Sequence, residues 1–364
     1  YASGINTITT AQGTTNASGV NTITTAQGTV NASGVNTVTT AEGTTNMSGT
    51  NTVTTAQGTT NMSGVNTVTT ASRVVNMSGV NTVTTAQGNV IASGTNTVTT
   101  AQGNVHVSGT TTVTTANGVI NMTGVNTITT ANDRIYITGH SNTITTVNGT
   151  ANISGTNTIT TTAGTANLSG VNTVTNASGT VNASGVNTIT TANGTTNMSG
   201  TNTVTTAAGR VSMSGINTVT TANGNTHITG NAITISSNAG KAYFTGNAVT
   251  ISSNSGTINL TGNSYTITNS NGGNIYATGN SSTITNNGTA YVTGHTATIT
   301  NGTNNMTGLS FTINNGTNTF SGAAGSRTFA TGHTFSIPEN KGVINVTGQT
   351  VTMSGGNINI TNVT

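Results

Sequence analysis

The feature that most constrains this chain is a unit of 15 residues that repeats almost without change. Asn46-Met47-Ser48-Gly49-Thr50-Asn51-Thr52-Val53-Thr54-Thr55-Ala56-Gln57-Gly58-Thr59-Thr60 is followed by Asn61-Met62-Ser63-Gly64-Val65-Asn66-Thr67-Val68-Thr69-Thr70, and the unit recurs from Tyr1 to about Asn225. A Ser/Thr-Gly pair marks each coil, first at Ser3-Gly4, Ser18-Gly19 and Ser33-Gly34. It returns at Thr229-Gly230, Thr245-Gly246, Thr261-Gly262, Thr278-Gly279, Thr293-Gly294 and Thr307-Gly308, where the spacing wanders between 14 and 17 residues. Self-similarity at a fixed period of this kind marks a stacked-repeat architecture.

Each unit holds two short β-rich stretches that alternate with period two, separated by Gly-containing turns, and no stretch has helical periodicity. Fifteen residues cannot bury an apolar face alone, so each coil stacks on copies of itself, strand over equivalent strand. The expected fold is all-β, a two-sided parallel β-solenoid (β-helix) of about 24 coils with two strands per coil. At a strand spacing near 4.8 Å it would be on the order of 110 Å long. Three stretches are expected: 1–225 as regular solenoid, 226–320 as degenerate coils, and 321–364 as an irregular coil or insertion followed by C-terminal coils. In the last, Arg327, Phe329, Phe335, Pro338, Glu339 and Lys341 crowd together before the motif returns at Val346-Thr347-Gly348.

The variants fix side-chain orientation. In the first stretch the sites of Val105 and Val107, Ile120 and Met122, Ile135 and Ile137, and Ala242 and Phe244 stay apolar and point inward. Between them His106, Asn121, Tyr136 and Tyr243 vary in size and polarity, so they point outward. In the second stretch Val53 faces inward, while Thr52 and Thr54 face outward. The place of inward Asn51 is taken by Ile233, Val249, Tyr265 and Phe311 in the degenerate coils. Asn51 and its copies are therefore expected to form a buried amide ladder, since an unpaired buried amide costs roughly 1 to 3 kcal/mol.

Several chemistries are set aside by composition. Six basic and three acidic side chains in 364 residues form no basic track for a nucleic acid. With Glu42, Asp133 and Glu339 as the only acids, carboxylate-pair catalysis has no pair to use. No cysteine exists for a disulfide or thiolate site. His106, His140, His227, His295 and His333 sit in different coils, and Arg73, Arg134 and Arg210 fall in or beside turns. Met47, Met62, Met77, Met122, Met198 and Met213 recur on the inward side as core filling. No enzyme activity, metal or cofactor is expected. No apolar run is long enough for a helix to cross a bilayer, so no membrane partner is expected either. The chain opens at Tyr1 without an initiator Met and within a repeat, as an exported mature chain would; the expected location is extracellular or at the cell surface.

Two outward arrays remain. One is the Thr-x-Thr column of Thr52 and Thr54, Thr67 and Thr69, Thr82 and Thr84, Thr97 and Thr99, Thr112 and Thr114, and Thr127 and Thr129. In spacing and tripeptide, over roughly two thirds of the chain, it resembles the β-helical insect antifreeze proteins of the moth type, although the disulfides common in that family are missing. The resemblance implies an ice surface as partner, with Thr hydroxyls and methyls ordering water. The other array is the glycosylation sequon Asn-x-Ser/Thr at Asn16, Asn31, Asn46, Asn61, Asn76, Asn121, Asn152, Asn167, Asn182 and Asn197, with Asn259, Asn305 and Asn345 later. Attached glycans there would supply the solubility that charge does not.

Neither end carries a cap, and the whole-chain character resembles self-stacking extracellular fibre proteins. The leading expectation is an extracellular structural protein, a rigid subunit that forms a head-to-tail homopolymer through Tyr1 and Ala2 at one end and Ile358 and Ile360 at the other. Its alternatives are an ice-binding protein and an adhesin or viral fibre shaft.

Overall fold

The computed structural model describes residues 1–270, 272–314, 317–337, 343–353 and 357–360. They form an all-β parallel solenoid. The chain divides into two compact units, Tyr1–Ser184 and Gly185–Thr364. In the first unit every strand pairs in parallel with the next, from Ala2–Ala11 to Thr165–Ala177. In the second the same holds from Thr195–Ala207 to Asn357–Ile360. The strand Thr180–Ala192 contains the division.

The two strands expected in each coil are one continuous strand bent at its glycine. Thr44–Ala56 shows the plan: Thr45 and Met47 are buried before the bend, Asn51, Val53 and Ala56 after it, while Ser48, Thr50, Thr52 and Thr54 are exposed. Period-two alternation sends these residues to opposite faces. Between Val53 and Ala56 the alternation slips by one residue. Pairing holds Val53 to Val68 and Thr55 to Thr70 but skips Thr54, so a second bend lies there. The Gln-Gly turn then continues the ladder, with the Gln57 and Gly58 N–H groups both donating to the Ala41 carbonyl, at 2.8 and 2.9 Å.

The inward columns are those expected. Val105, Val107, Ile120, Met122, Ile135, Ile137, Ala242 and Phe244 are buried, as are Met47, Met62, Met77, Met122, Met198 and Met213. His106, Tyr136 and Tyr243 are exposed and Asn121 is half-buried. The first inward column mixes Val with Thr: Val30 pairs with Thr45, and Thr60 with Val75. The buried Thr45 and Thr60 hydroxyls have no hydrogen-bond partner among the described protein groups. Thr60→Val keeps the shape and removes a desolvated hydroxyl, so it is expected to stabilise the chain by about 1 kcal/mol in urea unfolding. Destabilisation would show that the hydroxyl is bonded after all.

Corners come in two kinds. In the regular coils, where one residue follows the glycine before the buried Asn, the glycine adopts left-handed φ, 106° at Gly49 and 107° at Gly64. A Cβ on Gly64 would also collide with the carbonyl oxygen of Gly49 one coil away. Longer coils insert a residue directly after the glycine, as in Gly139-His140-Ser141, Gly230-Asn231-Ala232, Gly246-Asn247-Ala248 and Gly262-Asn263-Ser264. There two residues share the turn, none of the four glycines is left-handed, and the pairing register shifts, as between Thr138 and Ser141.

The wide corner explains why the inward Asn column turns apolar. Before a narrow corner, Asn51 Nδ2 donates to the Ser63 carbonyl of the next coil at 3.1 Å. Asn126 and Asn217 precede wide corners and reach instead their own coils' Gly124 and Gly215 carbonyls, at 3.3 and 3.2 Å. With the acceptor gone, an amide has less to bond, and Ile233, Val249 and Tyr265 fill the column in register. The backbone of Phe311 pairs with Ala297 in the same register; its side chain lies outside the described residues.

Tyr265 is the odd member. Its buried hydroxyl has no partner among the described protein groups, and desolvation pushes its pKa from 10.0 up to about 12. An unfolded chain ionises this phenol near its ordinary value while the folded chain resists. Its contribution is therefore intact below about pH 10 and is lost as pH rises toward about 12. Tyr265→Phe should lessen the fall in stability across that alkaline window, and gain about 1 kcal/mol at neutral pH. A parallel pH profile in the two proteins would refute this.

Toward the C-terminus the coil boundary blurs. The strand Thr317–Ile337 pairs with the preceding coil from Thr303↔Thr317 and with the following one from Arg327↔Val343. Pro338, Glu339 and Lys341, and the side chains of Arg327, Phe329, Phe335 and Asn345, lie outside the described residues.

Candidate functional surfaces

The interior surface is the amide ladder. Asn36, Asn51, Asn66 and Asn81 each donate from Nδ2 to Oδ1 of the Asn one coil later, at 2.7 or 2.8 Å. The second Nδ2 hydrogen goes to the Ser carbonyl beside the next corner, Ser78 for Asn66, at 3.1 Å. Each side chain thus joins coil to coil and holds a corner, which is why a polar residue is kept in so thin a core. One rung is broken. Where the other rungs have an amide oxygen, Asn96 Nδ2 reaches the Thr111 hydroxyl, at 3.4 Å, and the buried Asn126 Oδ1 has no partner among the described groups. Thr111→Asn would complete both contacts and is expected to stabilise the fold by about 1 to 2 kcal/mol; slower hydrogen exchange across the neighbouring coils would report it, and unchanged exchange would count against it.

The sequon residues form a second amide ladder outside. Asn31, Asn46, Asn61 and Asn76 donate from Nδ2 to Oδ1 of the preceding coil's Asn at 2.8 Å, opposite in direction to the inner ladder. Asn167 and Asn182 continue the pattern onto Asn152 and Asn167. Asn16 accepts from Asn31, and Asn121 contacts His106 Nδ1 at 3.1 Å. Most of these side chains are half-buried, and Asn197 is exposed. The nitrogen that a glycan would modify is thus the one that makes the ladder bond. In the later coils this outward column carries rings. His227 stacks on Tyr243 with centroids 4.7 Å apart, and Tyr276 on Tyr291 at 5.0 Å.

All twelve threonines of the outward array, from Thr52 and Thr54 to Thr127 and Thr129, are exposed. Their two columns differ: Thr52, Thr67, Thr82, Thr97, Thr112 and Thr127 lie in paired register, whereas the second threonine of each pair sits at the bend that pairing skips. The paired neighbour of the first column is one that sequence reasoning missed. Val20, Val35, Val65, Val80 and Val125, directly after the glycine, are about half exposed. The free exchange of Val with Thr at that site was the available signal.

Two ionisable side chains stand within the outer column, His106 beside Asn121 and His227 on Tyr243. Glu42, Arg73, Asp133, Arg134 and Arg210 are exposed in or next to the turns, and His106, His140, His227 and His295 are exposed in separate coils. Among the described residues no three His, Cys, Asp or Glu side chains gather as metal ligands. Tyr1 is exposed and Ala2 half-buried at the edge of the first strand. Ile358 and Ile360 pair through the backbone with Ile344 and Val346, and their side chains lie outside the described residues. No family model, no curated protein and no solved structure matches the chain.

Proposed function

We propose that the chain is a non-catalytic structural subunit, extracellular or at the cell surface, whose coils stack end to end with those of further copies. The observation that carries this reading is the sameness of the coil-to-coil contact. Within the regular coils each residue overlies its equivalent, and two amide ladders run through the stack in opposite directions. The backbone edge of such a stack offers both donors and acceptors, and another copy in the same orientation supplies the partners. In the strand Ala2–Ala11 the Asn6 and Ile8 side chains are partly exposed, whereas Asn21 and Ile23 one coil on are buried. Unpaired strand edges of this kind add further strands unless blocked. A head-to-tail contact of this geometry does not close on itself, and so gives a filament. Electron microscopy of purified protein should show filaments one solenoid wide, shortened by Ile8→Lys in the strand Ala2–Ala11. Monodisperse single chains by light scattering at micromolar concentration would sink the proposal.

A second reading rests on the exposed, in-register Thr column. If that face binds ice, Thr82→Tyr with Thr97→Tyr should abolish crystal shaping and thermal hysteresis; unchanged hysteresis would remove the face from consideration.

A further inference from the structure

The outward face of the run before the corner carries a feature that stacking does not use. In the unit Tyr1–Ser184 a continuous groove of about 1150 Å³ runs from Tyr1 to Thr138. One wall is the outer amide column, typified by Asn46 and Asn61, and the other is the Ser column, typified by Ser48 and Ser63. Met47 and Met62 line it between the two columns with their side chains buried in the core, and Tyr136 stands in it near one end. We infer that this groove binds a neutral, extended polysaccharide chain.

Three observations carry the inference. The first is the chemistry of the walls. Each outer Asn spends one Nδ2 hydrogen on its ladder bond, which leaves a second hydrogen and a carbonyl lone pair for a ligand. Across the groove each coil adds an exposed Ser hydroxyl. A donor, an acceptor and a hydroxyl on each such coil suit a polyhydroxylated ring, which carries hydroxyls around its rim. The second is charge. No Lys, Arg, Asp or Glu lines the groove, so an anionic polymer finds no counter-charge.

The third is period. From Asn16 to Asn76 the recognition set recurs once per coil, roughly every 4.8 Å, close to the length of one pyranose unit in an extended β-1,4-linked chain, and Ile91 and His106 interrupt it in the next two coils. A bound peptide strand repeats its side chains on one face about every 6.6 Å, out of step with the walls. It would also need free backbone edges, and here those groups are used in coil pairing.

The test uses the whole chain with cellohexaose, chitohexaose and hydroxyethylcellulose as probes, alginate as a charged control, and calorimetry as the readout. At least one neutral probe should bind saturably. Ser63→Tyr with Ser78→Tyr should weaken that binding tenfold or more, whereas Thr67→Tyr with Thr82→Tyr on the other face should leave it unchanged. Ser63 and Ser78 are exposed strand positions, and retention of the β-sheet circular dichroism signal verifies folding; Tyr136→Ala, a truncation of an exposed ring, should weaken binding independently. No saturable binding by any neutral probe, equal binding in the Ser63→Tyr/Ser78→Tyr protein, or tighter binding of alginate would each overturn the inference. So would a covalent sugar on Asn46 or Asn61 of native material, which would fill the groove. Filament formation is read separately by microscopy, so either idea can fail alone.

Discussion

Gly64→Ala is expected to cut the solenoid in two. The left-handed φ of 107° at Gly64 is strained for any residue with a Cβ, and that Cβ would overlap the Gly49 carbonyl oxygen in the coil beneath. Backbone strain of this kind costs on the order of 1 to 3 kcal/mol by itself. The overlap adds to it, because the opposing atom is backbone and is held by ladder bonds on both sides. A loss of about 3 kcal/mol or more is expected. In a stacked repeat each coil touches only its neighbours, so damage stays local. Limited proteolysis should then cleave near residue 64 and leave two protected fragments, while the surface control Ser63→Ala behaves as the parent. If Gly64→Ala and Ser63→Ala resist protease equally, the corner is far more tolerant than its geometry implies.

The second large effect separates two ladders that look alike. Asn66→Ala removes the acceptor for Asn51 and the donor to Asn81 and to the Ser78 carbonyl, all in the buried column. Water cannot replace them, and each orphaned group costs roughly 1 to 3 kcal/mol. A total near 3 kcal/mol is expected, together with faster hydrogen exchange in the neighbouring coils. Asn61→Ala breaks amide contacts of the same length in the outer column, where the side chain is half-buried and solvent can step in. Its cost should stay below about 1 kcal/mol. Equal costs for the two substitutions would mean that burial is not what gives the inner amides their weight.

Much of this was legible in the sequence because alternation with a fixed repeat leaves little choice. Once Val53 and Met47 are inward, Thr52 and Asn46 must be outward, and a one-residue slip would expose the whole core. The buried Asn column was legible too, since the site of Asn51 is taken in successive later coils by Ile233, Val249 and Tyr265. The two kinds of corner were not. The sequence shows spacing that wanders from 14 to 17 residues, but the effect depends on the extra residue standing directly after the glycine, where it relieves the left-handed turn. The second bend at Thr54 was hidden for a related reason: Thr54 and Thr55 are the same residue type, so composition cannot reveal that one is exposed and the other half-buried.

The opposed sense of the two amide ladders has an electrostatic consequence for length. A single column of aligned carboxamides would sum its dipoles along the stack, leaving partial charges of opposite sign at the two ends, as aligned peptide dipoles do in a helix. Here the inner column points its N–H groups toward the later coils and the outer column toward the earlier ones. Their moments largely cancel coil by coil. Adding coils that carry both columns therefore accumulates little field at the ends of the stack.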